Sequence, residues 1–284
     1  MAHDLTRPEP SAADDDTTAD PPVPRGRRIA FRVVAVVLTL WMLAMSGFGL
    51  LELPLMWLPT DTLVAMFSES GDASGLIEHR THYFAIGLTA WGTFLPLLAQ
   101  LRRPERRVAP MLLLCVSSAT ALVVFGLHGT LTDWLIQEWT WFMPVAALAV
   151  LHPARWLLRT RPGLDRPQLG LAVLAAAPWL AFAVVNAVRQ VGSDGPHTEP
   201  EHWALMAWAA VLIAAGAVIG ATDHRGWRLP AWYAAIASIL IGAHGLVFPG
   251  APSALWIPFA VAATAWGLAY AAAIVARTRR ARPA

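Results

Sequence analysis

Residues 82–101 read HYFAIGLTAWGTFLPLLAQL, and residues 203–221 read WALMAWAAVLIAAGAVIGA. Neither stretch contains an aspartate, glutamate, lysine or arginine. Each comes close to the ~20 apolar residues that carry a helix across a ~30 Å hydrocarbon core. Neither alternates polar with apolar residues, as a barrel strand would. A backbone in lipid must satisfy its own hydrogen bonds, so both read as membrane helices. The residues around them also match. Glu78-His79 precedes the first stretch and Glu201-His202 the second. After each come a basic loop, a returning apolar stretch and a His-Gly pair: His128-Gly129, then His244-Gly245. Trp141-Phe142-Met143-Pro144 and Leu255-Trp256-Ile257-Pro258 follow in turn. One unit reads as used twice.

The rest of the chain extends the pattern. Its 284 residues are 56% hydrophobic and 14% charged, with a mean hydropathy of +0.50. A soluble domain carries about 25% charged residues. Eight spans are expected, at 30–51, 82–101, 110–128, 136–152, 169–189, 203–221, 230–248 and 254–276. The fourth is the shortest in its apolar part, and Trp134, Trp139 and Trp141 form an aromatic belt at its end. The expected fold is all-α, a polytopic membrane protein with eight transmembrane helices arranged as two parallel four-helix repeats. Residues 1–28 form a polar cytoplasmic tail without apolar periodicity, which reads as disordered. The first repeat covers 29–152, a cytoplasmic linker 153–168, the second repeat 169–276 and a basic tail 277–284.

Arginine placement sets the orientation. The chain has no lysine, and all 21 basic residues are arginine. With the N-terminus inside, nineteen fall on the inner side, and only Arg80 and Arg189 fall outside. Positive residues favour the cytoplasmic side, so an even number of spans with both termini in the cytoplasm is expected, in the cell membrane. Four spans return the chain to its starting side, which makes the repeats parallel. The basic pI of about 9.2 follows from these flanks and does not indicate nucleic acid. The single cysteine, Cys115, rules out an intrachain disulfide and any Cys-based metal site.

This topology gathers ionisable residues at one membrane level. His79, His82 and His202 start spans 2 and 6 on the outer side, while His128 and His244 end spans 3 and 7 there. Glu78 and Glu201 accompany them. Imidazole is the commonest nitrogen ligand for transition metals, and a neighbouring carboxylate orients the ring or adds a ligand. Histidines on adjacent helices can also hold a haem from both faces, pairing His79 or His82 with His128, and His202 with His244. Each histidine is equally readable as an interfacial residue, and each glutamate as an ordinary acidic helix start. His3, His152, His197 and His224 receive no role. The outer loop 52–79 contains Pro54, Trp57, Leu58, Val64, Met66 and Phe67 and is too apolar to be free. It lies on the bilayer surface or caps the bundle.

The layout resembles that of haem A synthases, which have eight spans in two four-helix halves. They carry an acid shortly before a His-Arg at the outer start of span 2, after a long outer loop. Glu78-His79-Arg80 is similar to a contracted form of that signature, and His202 matches in position in the second half. The resemblance implies a haem- or metal-binding bundle. Its departures are that spans 4 and 8 carry no outer histidine and that the outer-loop cysteine pair is missing.

Three functions remain open from the sequence. The first is a haem- or transition-metal-binding oxidoreductase or cofactor-handling protein, with ligands drawn from His79, His82, His128, His202 and His244 and with Glu78 and Glu201 as acid–base groups. The second is a cofactor-free, cyclase-like enzyme for a lipid or prenyl substrate, using Glu78, Glu138 and Glu201 beside aromatic rings. The third is a non-catalytic carrier of apolar cargo or a scaffold. The expected partners are the lipid bilayer and a small apolar substrate, haem or metal.

Overall fold

The computed structural model describes residues 22–67, 80–126, 142–158, 160, 162–192 and 202–280. Nine helices run through these residues. They are α1 (Arg25–Leu55), α2 (Thr60–Phe67), α3 (Arg80–Leu101), α4 (Val108–Gly126), α5 (Phe142–Leu151), α6 (Arg166–Gly192), α7 (His202–Gly220), α8 (Arg228–Val247) and α9 (Ile257–Arg280). No strand occurs among the described residues, only an isolated bridge between Leu164 and Thr222. Six helices, α3, α4, α6, α7, α8 and α9, are each long and apolar enough to cross a membrane. Helix α1 makes a seventh if its two arms count as one span. The chain is therefore a multi-pass integral membrane protein.

Local sequence sets the helix starts. Pro110, Pro167, Pro230 and Pro258 all fall in the first turns of α4, α6, α8 and α9. The missing N–H costs nothing there, because first-turn donors have no partner within the helix. Two side chains supply caps. Asp165 Oδ1 accepts from the Gln168 amide (3.0 Å) at the start of α6, and Gln190 Oε1 from the Ala204 amide (3.1 Å) at the start of α7. Helix α1 bends by 52° between Arg25–Ala44 and Gly49–Leu55. The bend falls at Ser46-Gly47-Phe48-Gly49, and Gly/Ser pairs are a recognised cause of such kinks.

Helix α7 is the axis of the molecule. It packs against α3, α4, α6 and α8. Two-thirds (67%) of the apolar stretch is buried in both α3 and α7, against 28% in α6 and α9. The inner four helices are α3, α4, α7 and α8, and α6 and α9 turn most of their surface outward. Small residues let the inner helices approach closely, which is how membrane helices gain packing without a hydrophobic driving force. A Cβ on Gly87 would meet the Leu53 backbone nitrogen at 2.6 Å, which explains the glycine where α3 crosses α1.

Of the eight expected spans, the fourth is the one the described residues leave short. Its described part is α5, from Phe142 to Leu151, which alone does not cross a bilayer. Residues 136–141 lie outside the described residues. The first span runs further than expected, since α1 continues through the bend to Leu55.

Candidate functional site

The antiparallel inner helices place the starts of α3 and α7 beside the end of α8. This brings three expected site residues to one end of the core. His82 is 8% exposed, His202 0% and His244 1%. Glu78, His79, His128 and Glu201 lie outside the described residues.

The imidazoles of His82 and His202 stack, with centroids 4.3 Å apart and planes inclined by 24°. The sequence expectation paired histidines on consecutive spans; here the contact joins α3 to α7. His244 stacks instead on Phe84, at 4.2 Å and 21°. Phe248 lies 4.9 Å from His244, and Trp57 lies edge-on at 6.0 Å. The His244 Nε2 atom is buried without a hydrogen-bond partner among the described residues.

Arg80 completes this end. It is only 4% exposed although it opens a helix. Its guanidinium lies 4.4 Å over the Phe248 ring and donates one long hydrogen bond to Thr60 Oγ1 (3.3 Å). Its Nε is buried with no partner, and no ion pair of Arg80 occurs among the described residues. A cavity of about 370 Å³ adjoins it, lined by Thr60, Arg80 and Phe248 to Pro252. A buried cation with one weak bond is costly, since lone charges in protein interiors need pairing. The cavity is where an anion would satisfy it.

The segment after α1 covers this end. Met56 and Leu63 are buried in the same apolar cluster as Phe84 and Leu205, and Trp57 packs edge-on to both Phe84 (5.9 Å) and His244. Of the two readings left open for the 52–79 loop, its described part caps the bundle.

Glu52 is the residue that sequence reading missed. The expected first span stopped at residue 51, so Glu52 counted as the start of the loop. Helix α1 instead carries it into the protein, where it is 5% exposed and its Oε2 has no partner among the described residues. It lies beside Gly49, whose added Cβ would reach Glu52 Oε2 at 3.8 Å and Ile86 Cγ2 at 3.1 Å. The carboxyl thus faces α3 about one turn deeper than His82. The signal available in the sequence was Gly47 and Gly49, which permit the bend.

Two imidazoles stacked at 4.3 Å leave no room for a porphyrin between them. A metal held by both must lie in both ring planes, and nearly parallel stacked rings share no such point close by. Among the described residues no group of three or more His, Cys, Asp or Glu is placed to hold a metal ion.

Two cross-helix hydrogen bonds lie deeper in the core. Tyr233 Oη on α8 donates to the Leu88 carbonyl on α3 (3.2 Å), and Trp208 Nε1 on α7 donates to Ser117 Oγ on α4 (3.2 Å). Leu88 follows His82 by six residues, as Trp208 follows His202; Tyr233 precedes His244 by eleven, as Ser117 precedes His128. No known protein family, curated protein or solved structure matches the chain.

Proposed function

We propose that the histidine end of this membrane protein binds an amphiphile with an anionic head group and acts on it by proton transfer. The observation that carries this reading is Arg80: a guanidinium buried without an acid among the described residues, beside a cavity. Arg80 takes the head group through charge-assisted hydrogen bonds. The apolar part lies along the Phe248 ring and the prolines that line the cavity. The stacked His82 and His202 act as one proton site, because two imidazolium ions at that spacing repel. Glu52, and Glu78 and Glu201 next to the site in sequence, supply further acid–base groups. This is the reading of a cofactor-free enzyme for a lipid or prenyl substrate, with the site on the outer side by the arginine distribution.

An eight-span, twice-used four-helix unit underlies the site in this reading. The reciprocal pattern of the two cross-helix bonds, α3 with α8 and α4 with α7, supports it, as does the meeting of His82 with His202. In this reading the halves are related by an axis along the membrane normal.

A second reading keeps haem, which is itself an apolar body with carboxylate arms. Two buried imidazoles at one depth favour it, with His79 three residues from His82 and His128 two residues beyond the end of α4. The His82–His202 stack must open for either ring to reach an iron, and Arg80 suits a carboxylate arm.

One experiment separates these. Detergent-purified protein is titrated with a prenyl monophosphate, with the matching uncharged prenol, and with haem, following thermal stability and the optical spectrum. The first reading expects stabilisation by the phosphate alone, lost in Arg80→Gln. Equal stabilisation by the prenol, or an undiminished response in Arg80→Gln, overturns it. A Soret band that disappears in His82→Ala and His202→Ala moves the assignment to haem. Side-specific labelling of cysteines placed at Pro59 and Pro249 tests the topology, since the eight-span arrangement requires both on one side.

A further inference from the structure

At the opposite end of the core, five arginines line one cavity. Arg102, Arg103, Arg106 and Arg107 come from the α3–α4 loop, and Arg228 from the start of α8, just after Gly226 and Trp227 of the α7–α8 loop. The cavity has a volume of about 430 Å³, and no acidic side chain is among its described lining residues. None of the five is in an ion pair among the described residues. The acids nearby are otherwise engaged. Asp223 pairs with Arg277, Asp165 with Arg277 and Arg280, and Glu105 lines an adjoining cavity with Arg28, Arg32 and Arg103.

The walls are fixed. The Ala109 amide donates to the Arg225 carbonyl (3.0 Å), joining the two loops, and Gln100 Nε2 donates to the Arg107 carbonyl (3.1 Å). Gly226 adopts φ +85°, and an added Cβ would stand 3.0 Å from both the Arg106 carbonyl oxygen and Pro110 Cδ. Only glycine combines that dihedral with that approach. Trp227 is held from behind by the Arg277 guanidinium, 3.8 Å from its ring. The Arg107 Nε is buried with no hydrogen-bond partner.

Orientation in the membrane explains why such loops are positive. It does not explain why distant parts of the chain bring five arginines to line one cavity with no acid among its described lining residues. Like charges brought together repel, and an anion with several oxygens relieves the repulsion. Guanidinium groups meet phosphate oxygens with paired hydrogen bonds. We infer that this cavity binds a phosphate-bearing ligand, either an anionic phospholipid head group at the membrane surface or a soluble phosphate compound. Basic pockets between helices on the cytoplasmic side are suited to such head groups.

The test uses the full-length protein. Native mass spectrometry measures retention of phosphatidylglycerol against phosphatidylcholine, and calorimetry measures inorganic pyrophosphate binding. The wild type is expected to retain the anionic lipid selectively, to bind pyrophosphate, or both. Retention alone assigns a lipid head group, and pyrophosphate binding alone a soluble phosphate. The Arg106→Gln/Arg107→Gln/Arg228→Gln triple variant should bind at least about tenfold more weakly. The exposed Arg102→Gln should bind a few-fold more weakly, which keeps the test decisive if the triple variant misfolds. Arg279→Gln, outside the cavity, should bind as the wild type. Absence of both binding events, unchanged binding in the cavity variants, or equal loss in Arg279→Gln overturns the assignment.

Discussion

Arg80 and Arg277 are both buried, at 4% and 7% exposure, and sit at opposite ends of the same helical core. Their surroundings differ in kind. Arg277 donates to Gln168 Oε1, the Gly220 carbonyl and the Thr222 carbonyl, each at 2.9 Å, and pairs with Asp223. Asp165 lies 3.9 Å away, and the Trp227 ring stacks against its face. Almost every donor has a partner from the protein itself, so Arg277 ties α9 to the ends of α6 and α7. Arg80 has one long bond and one ring. Among the described residues a near-complete shell surrounds the Arg277 guanidinium, and no acid faces that of Arg80. A buried charge is thus informative through what its donors meet, more than through its depth.

The largest expected difference is in stability. Arg277→Gln leaves buried carbonyls and two carboxylates without their cation, and should cost about 3–5 kcal/mol in a denaturant titration in mixed micelles. Arg80→Gln should cost under about 1 kcal/mol, since it loses mainly a cation–π contact. Equal losses would break the comparison.

A smaller effect tests the Arg80 side of the comparison directly. Thr60→Asp places a carboxylate where Arg80 already reaches. It should raise stability by about 1–2 kcal/mol while suppressing anionic ligand binding. A fall in stability, or unaltered binding, would show that Arg80 does not await an anion.

The smallest effect concerns pH at the Arg277 end. His224, in the loop after α7, is buried, and burial holds its pKa below the ordinary 6.5. The folded state therefore favours the neutral ring, and the unfolded chain binds the proton more tightly. Its contribution is complete above about pH 6.5 and is lost as pH falls below that value. His224→Gln should flatten the stability–pH slope between pH 6.5 and 5, leaving Arg80-dependent binding at neutral pH unchanged. An identical slope would remove His224 from the account.

Much of the fold is legible in the sequence because membrane helices announce themselves by composition. The run 203–221 becomes α7 within a residue at each end. The level shared by His82, His202 and His244 follows from span direction alone. What composition does not carry is rotation about a helix axis. Runs that are apolar all round give no preferred face, so the partner of His82 could not be chosen, and His202 is reached through packing of small residues on α3 and α7. Glu52 was missed for a related reason. Hydropathy ends a span at the first charge, whereas a glycine-borne bend lets the helix continue and bury it. Arg80 is adjacent to the quoted motif, and its solitude depends on Phe248, which is far away in the chain.

The central place of α7 also has a consequence in time. Helices α3 and α4 emerge from the ribosome before α7 and α8, with Gly92 and Ser117 on faces that α7 and α8 later cover. Nearly a hundred residues separate the end of α4 from the end of α7. At about 5–20 residues per second, those faces wait for roughly 5–20 s in the bilayer. Biogenesis of this protein therefore passes through a half-built intermediate with an open polar seam, and a chain cut short before Gly220 is one that quality control can recognise.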